Sequence, residues 1–124
     1  MQPPELGNSR TVFVVQVDHS KDLSDARRYG QLRAVFGSPR KPYDTAQLLH
    51  RGRAVLADYQ PGDHVLMIGD PALCGIAVAL ATERCSVVNV LSWDRNSFRY
   101  VPQRWDFELG EGLYAEDEFI PAED

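Results

Sequence analysis

The stretch from His64 to Leu91, HVLMIGDPALCGIAVALATERCSVVNVL, decides the fold of this chain. It contains two short apolar runs, His64–Gly69 and Ser86–Leu91, which have the length and β-branched content of buried strands. Between them, Asp70 and Pro71 mark the start of a helix, because a carboxylate acceptor is favoured at the N-cap and proline at the first helical position. Strands joined by a helix in this way are expected to run parallel.

The segments before this unit extend the same pattern. Thr11–Asp18 is a nearly continuous apolar run and predicts a strand that is covered on both faces. Two helices are expected between it and the central unit. Apolar residues at helical spacing predict one over Asp22–Phe36, and a stronger apolar stripe predicts another over Asp44–Tyr59.

The segment after the central unit predicts a hairpin. The residues WDRNS have the composition of a turn, and Phe98–Val101 is predicted to return as a strand. The alternation over Arg104–Leu109 favours one more edge strand, but Pro102 interrupts that continuation and leaves the assignment open. The predicted order is therefore β-α-α-β-α-β-β, which describes a small α/β domain whose mixed sheet has a parallel core and a C-terminal antiparallel hairpin.

Length and composition set the class of protein. The chain has 124 residues, of which 44% are hydrophobic and 25% charged, the balance of one soluble globular domain. We assign residues 1–109 to this domain and residues 110–124 to an acidic tail. No apolar run is long enough to span a membrane, and the first residues lack the apolar stretch of a signal peptide. The two cysteines, Cys74 and Cys85, are expected to be reduced and buried.

The charge is distributed unevenly along the chain. Six of the 18 acidic residues lie in the tail, which has no basic residue. The body therefore holds 13 basic and 12 acidic side chains, while the whole chain carries a net charge of -5. A nearly neutral body disfavours a nucleic-acid partner, because such binding depends on clustered Lys and Arg that neutralise phosphates.

Polar residues follow each of the three predicted parallel strands. The carboxyl ends of parallel strands meet at one edge of a sheet, so we expect the candidate site there to comprise Asp18, His19, Asp70, Trp93 and Asp94. Carboxylates with a histidine suit Mg²⁺ binding or acid–base catalysis. The alternative is structural: Asp70 as a helix cap, Asp94 as the first residue of a turn, and Asp18 with His19 as polar residues at a helix entry.

No complete catalytic motif is present. The loop GDPALCG joins a strand to a helix but matches neither GxxxxGK[ST] nor GxGxxG, and Asp70 places negative charge where a phosphate would sit. We therefore predict no catalytic residue, no metal ligand and no cofactor.

The acidic tail carries apolar side chains that solubility does not require. Leu113, Tyr114, Phe119 and Ile120 lie among its carboxylates and form the candidate partner-binding set. Docking of these residues on their own domain and plain disorder are the alternatives that the sequence leaves open.

The run HVLMIGDPALCGIAVALATERCSVVNVLSWDRNSFRYVPQRWDF resembles a family of small proteins from tailed bacteriophages. Two patterns carry the resemblance, a strand-to-helix unit "LLIGDP…IG.A.A.A" and a following "L.WDR….Y.P". Together they cover Val65–Pro102, and Tyr43–Leu49 fits the same family more loosely. The resemblance implies a phage protein made inside a bacterium and transfers no catalytic residue.

These observations lead to two functional hypotheses. The first is a non-enzymatic phage accessory protein that binds a protein partner, either a host factor or a virion component. The second is a small enzyme, or a nucleotide- or metal-binding protein, that uses the carboxyl edge of the parallel strands. We expect the protein in the cytoplasm of the bacterial host, with the virion as the alternative location and no membrane partner. The sequence leaves self-association open.

Overall fold

The computed structural model describes residues 9–108 and 119–122. They form a five-stranded sheet with two α-helices and one 3₁₀ helix. In chain order the elements are β1 (Thr11–Val14), the 3₁₀ helix (Ser24–Tyr29), β2 (Gln31–Ala34), α1 (Thr45–Leu56), β3 (His64–Leu66), α2 (Pro71–Thr82), β4 (Val87–Asp94) and β5 (Arg99–Asp106). Within these ranges, no helix has the length and apolar character needed to cross a bilayer.

The strands lie side by side in the order β2-β1-β3-β4-β5. The three pairs formed by β2, β1, β3 and β4 are parallel, with Val12 opposite His64 and His64 opposite Asn89. The last pair, β4 and β5, is antiparallel from Val87 opposite Asp106 to Asp94 opposite Arg99. The predicted small α/β domain, with its parallel core and C-terminal antiparallel hairpin, is confirmed.

The chain reverses its direction across the sheet at β1. It moves from β1 outward to β2 and then returns past β1 to β3, so the two connections cover opposite faces. The 3₁₀ helix buries Ala26 against Val14 on one face. On the other face α1 and α2 bury Leu56 and Leu73 with Phe13. In sheets of this kind, ligands bind beyond the carboxyl ends of the strands that flank the reversal, here β1 and β3.

Both α-helices begin where the sequence predicts. The Asp44 side chain accepts from the backbone N–H of Gln47 at 3.1 Å and caps α1. The Asp70 side chain accepts from the backbone N–H of Ala72 at 2.9 Å and caps α2, with Pro71 at its first position. These bonds satisfy N–H groups that the first turn of a helix leaves without partners.

The helix predicted over Asp22–Phe36 is wrong in its second half. The 3₁₀ helix ends at Tyr29, and Gly30 follows with φ 154°, where a Cβ atom would stand 2.6 Å from the carbonyl oxygen of Arg10. That close approach requires glycine and ends the helix. The next residues form β2 at the edge of the sheet. The sequence pattern does not reveal this strand, because an apolar residue such as Leu32 fits the strand period as well as the helix period.

The second strand of the hairpin is longer than predicted. It continues past Phe98–Val101 to Asp106 as a single strand, so Arg104–Asp106 belong to β5 and not to a further strand, while Leu109 lies outside the described residues. Pro102 lies within it, opposite Leu91. Proline is tolerated there because β5 is at the edge of the sheet and needs hydrogen bonds on one side only.

Candidate functional site

A crevice opens beyond the carboxyl ends of β1, β3 and β4. It encloses about 600 Å³, and its lining includes Asp18, Lys21, Asp22, Gly69, Trp93 and Tyr100. We call this cavity the strand-end crevice. The loop after β1, the segment after β3 and the β4–β5 hairpin each contribute to it. The reversal of the chain at β1 thus places a cavity where open α/β sheets bind their ligands.

Gln16 connects the two strands that flank the reversal. Its backbone N–H donates to the carbonyl oxygen of Ile68 at 3.2 Å, and its side-chain Oε1 accepts from the backbone N–H of Asp70 at 2.7 Å. Gly69, at φ 109°, lies between these bonds, and a Cβ atom there would clash with Gln16 Oε1. Glycine at position 69 therefore allows Gln16 to hold the start of α2 against β1.

Of the predicted strand-end set, the structure places Asp18 and Trp93 in the lining of the crevice. Asp18 Oδ1 accepts from the backbone N–H of Ser20 at 2.9 Å and from its hydroxyl at 2.6 Å. These bonds to Ser20 lower the pKa of Asp18 below its ordinary value. The neighbouring Asp22 accepts from the backbone N–H of Ser24, and hydrogen bonds to Ser24 lower its pKa in the same way. Both carboxylates are therefore ionised at neutral pH.

Asp70 has structural bonds beyond its role as a cap. Its Oδ2 accepts from the Tyr43 hydroxyl at 2.7 Å and lies 3.2 Å from Lys41 Nζ. The hydrogen bonds from Tyr43, from the backbone N–H of Ala72 and from Lys41 lower the pKa of Asp70 to about 2. Both carboxylate oxygens of Asp70 therefore have partners within the protein.

Asp94 and His19 lie outside the lining that defines the crevice. Asp94 holds the β4–β5 turn, because its Oδ2 accepts from the backbone N–H of Ser97 at 3.2 Å and from the Ser97 hydroxyl at 2.6 Å. The bonds from Ser97 also lower its pKa. His19 is exposed on the loop after β1. Among residues 9–108 and 119–122, no three His, Cys, Asp or Glu side chains are grouped closely enough to hold a metal ion.

Two aromatic side chains at the β4–β5 hairpin remain open to solvent. Trp93 is 45% exposed and Phe98 is 74% exposed, and their ring centroids are 6.5 Å apart in an edge-on contact. We call this pair the aromatic rim. On its inner side Trp93 contacts the ring of the buried Tyr100 at 4.9 Å. The rim therefore borders the crevice that Trp93 and Tyr100 line.

Phe98 has an unusual backbone conformation. Its φ is 54°, in the left-handed region that favours glycine or asparagine, and it is the one non-glycine residue with positive φ among those described. A bulky residue there costs about 1–3 kcal/mol of backbone strain. Phe98 is not identified as a site residue by the sequence, because its pattern places Phe98 in a strand. Lys21, Asp22 and Tyr100 were missed because their place in the lining depends on the tertiary fold. The signal in the sequence that could have identified Phe98 is a large apolar residue directly after the polar stretch DRNS.

A second, apolar groove runs along α2. It encloses about 760 Å³, and its lining includes Gly75, Val78, Ala79, Trp105 and Phe107. Cys74 lies in the same wall, and burial raises the pKa of its thiol, which is the opposite of the lowered pKa that activates a cysteine nucleophile. Both cysteines are free thiols.

The candidate residues of the tail are only partly described. Leu113 and Tyr114 lie outside the described residues. Phe119 and Ile120 are described, with 88% and 93% of their surfaces exposed.

The fold and its strand-end crevice define a small α/β protein whose polar and aromatic residues gather at the carboxyl edge of a mostly parallel sheet. The chain belongs to the Phage Pam3 gp32-like protein family, whose model matches residues 10–107. This match confirms the resemblance to a family of phage proteins. The description of the family names no activity. Comparisons with curated proteins and with solved structures gave no match.

Proposed function

We propose that this phage protein is a non-enzymatic accessory protein that binds a protein partner through the aromatic rim. The partner is a host protein or a virion component, and binding takes place in the cytoplasm of the bacterial host.

Phe98 carries the proposal. Its side chain gains little from folding, because 74% of its surface stays in water while its backbone is held at a φ of 54°. Strain of this kind persists at sites where function requires a particular side chain. Aromatic residues that contribute large apolar area at low entropic cost are typical of protein interfaces.

The carboxylates at the same edge favour binding over catalysis. Asp70 caps α2 and Asp94 holds a turn, so each has a structural role that explains its position. Asp18 is bonded to its own loop through Ser20. A pair of carboxylates that share a substrate or a metal would face a common point instead.

The tail is proposed to extend the same interface. Phe119 and Ile120 are exposed apolar residues within an acidic segment, and such segments bind grooves that have a basic rim. Together with the aromatic rim they give the protein several apolar anchors for one partner.

Site-specific photo-cross-linking in infected cells tests the proposal. A photo-reactive phenylalanine analogue is placed at position 98, and a matched control is placed at Leu49, an exposed apolar residue on α1. We expect a discrete protein adduct from position 98 and none from position 49. No adduct at position 98, or the same adducts from both positions, would contradict the proposal.

The volume and position of the strand-end crevice favour a second candidate function, the binding of a small molecule such as a nucleotide, although the two carboxylates in the lining oppose a phosphate. A volume of about 600 Å³ is typical of ligand pockets, and its position at the chain reversal supports this alternative. Saturable binding of AMP to the purified protein, lost when Trp93 is replaced by alanine, is the result that would favour it.

A further inference from the structure

We propose that the strand-end crevice binds the guanidinium group of an arginine side chain that the protein partner supplies. The inference rests on the proposed function and specifies the chemistry of its central contact.

The size and position of the crevice suit an inserted side chain. Its volume of about 600 Å³ exceeds that of one arginine and leaves room for water around the planar group. Trp93 belongs to both the crevice and the aromatic rim. A partner segment that packs on Phe98 is therefore next to the opening.

The charge in the lining favours a cation. Asp18 and Asp22 contribute two negative charges against the single positive charge of Lys21. Only Oδ1 of Asp18 accepts hydrogen bonds from Ser20, and its Oδ2 accepts no hydrogen bond from any residue in the described ranges. A guanidinium group offers several N–H donors in one plane, and charge-assisted bonds from such donors to carboxylates are the strong ones.

Trp93 supplies the second element of guanidinium recognition. Its indole ring is 45% exposed, while its contacts with Phe98 and Tyr100 are edge-on at 68° and 66°. A planar cation stacks on such a ring through cation–π attraction, for which tryptophan is the best partner. An arginine in the crevice thus pairs with Asp18 and with an aromatic ring in one site.

The same residues disfavour other occupants. A phosphate would meet two carboxylates and one lysine, which is a net repulsive environment. A divalent metal needs several oxygen ligands together, and the described residues contain no group of three metal-ligating side chains.

Titration with model compounds tests the inference on the full-length protein. The probes are N-acetyl-arginine methylamide, its neutral isostere N-acetyl-citrulline methylamide, and AMP. The readout is the indole N–H resonance of Trp93, which a Trp93→Phe variant distinguishes from that of the second tryptophan. We expect saturable shifts with the arginine probe at a Kd of about 1–10 mM, and no shift with the citrulline probe.

Three variants provide the controls. Asp18→Asn keeps the bonds to Ser20 and should weaken arginine binding about fivefold or more, because the charge is lost. Lys21→Gln removes the competing cation and should tighten it about two- to fivefold. Asp58→Asn, a carboxylate outside the crevice, should leave it unchanged. Thermal unfolding of each variant shows whether the fold is intact.

Equal shifts from the arginine and citrulline probes, or no shift from either, would overturn the inference. So would AMP binding that weakens in Lys21→Gln, because a phosphate needs that lysine. If these titrations fail while cross-linking at position 98 succeeds, the proposed function stands and only the arginine site is wrong.

Discussion

The hydroxyl of Tyr43 donates to Asp70 Oδ2 at 2.7 Å and so connects the loop before α1 to the first turn of α2. Asp70 Oδ1 meanwhile accepts from the backbone N–H of Ala72, and Lys41 Nζ lies 3.2 Å from Oδ2. One carboxylate therefore anchors the loop before α1 to the N-terminus of α2, beside the strand-end crevice.

This arrangement predicts a specific acid sensitivity. The contacts of Asp70 lower its pKa from 3.8 to about 2, so they stabilise the fold fully above 3.8 and lose that contribution as the pH falls toward about 2. We expect Asp70→Asn to be less stable than the wild type at neutral pH, because asparagine lacks the charge. Denaturant unfolding at several pH values should show the difference shrinking across this range. A difference that stays constant down to the lower pKa would contradict the role of the charge.

The two helix glycines should respond in opposite directions to alanine. In α2, a Cβ atom at Gly75 meets nothing within 4 Å, so Gly75→Ala should stabilise the protein by about 0.5–1 kcal/mol. In α1, a Cβ atom at Gly52 would stand 2.7 Å from Leu80 Cδ1 and 2.9 Å from Phe36, so Gly52→Ala should cost about 1–3 kcal/mol. Chemical denaturation measures both. The same sign for the two variants would show that helix packing differs from this account.

Core burial distinguishes Leu66 from Leu49. Leu66 is fully buried in β3, and Leu66→Ala should cost about 2–5 kcal/mol of unfolding free energy. Leu49 is 38% exposed on α1, and Leu49→Ala should cost clearly less than Leu66→Ala. If the two variants unfold at the same denaturant concentration, the placement of β3 at the centre of the sheet is wrong.

The tail is expected to contribute to partner binding. A chain that ends at Leu109, and a Phe119→Ala/Ile120→Ala variant, should each bind the partner more weakly than the intact protein at unchanged stability. For the shortened chain the loss should diminish as salt is raised, because the six acidic residues of the tail are screened. Affinity measured at two salt concentrations tests this. Equal affinity for all three proteins would remove the tail from the interface.

Much of the fold follows from short-range signals. The N-cap at Asp70, Pro71 after it and the apolar run before it predict the β3–α2 unit, because each of these effects acts within a few residues. The region around Gly30 could not be predicted in this way. Its conformation depends on the carbonyl of Arg10, which is distant in sequence, and apolar spacing alone does not distinguish a short helix from an edge strand.

The candidate site was predictable to a similar extent. The rule that polar residues gather at the carboxyl ends of parallel strands leads to five residues, of which Asp18 and Trp93 line the crevice while His19, Asp70 and Asp94 do not. Tyr100 joins them only through its register opposite Trp93 in the hairpin. The positive φ of Phe98 is a property of the folded turn, and the sequence alone does not reveal it.

The most direct test of the central claim is one comparison between the wild type and Phe98→Asn. Asparagine tolerates a positive φ better than phenylalanine. The free energy of unfolding of the variant should therefore equal that of the wild type or exceed it by up to about 1 kcal/mol. The measurement is the affinity for the partner cross-linked at position 98, determined beside the free energy of unfolding. We predict that Phe98→Asn binds at least tenfold more weakly, about 1.4 kcal/mol, without any loss of stability. Unchanged affinity, or a loss of affinity that merely follows a loss of stability, would contradict the claim that Phe98 is kept in its strained position for binding.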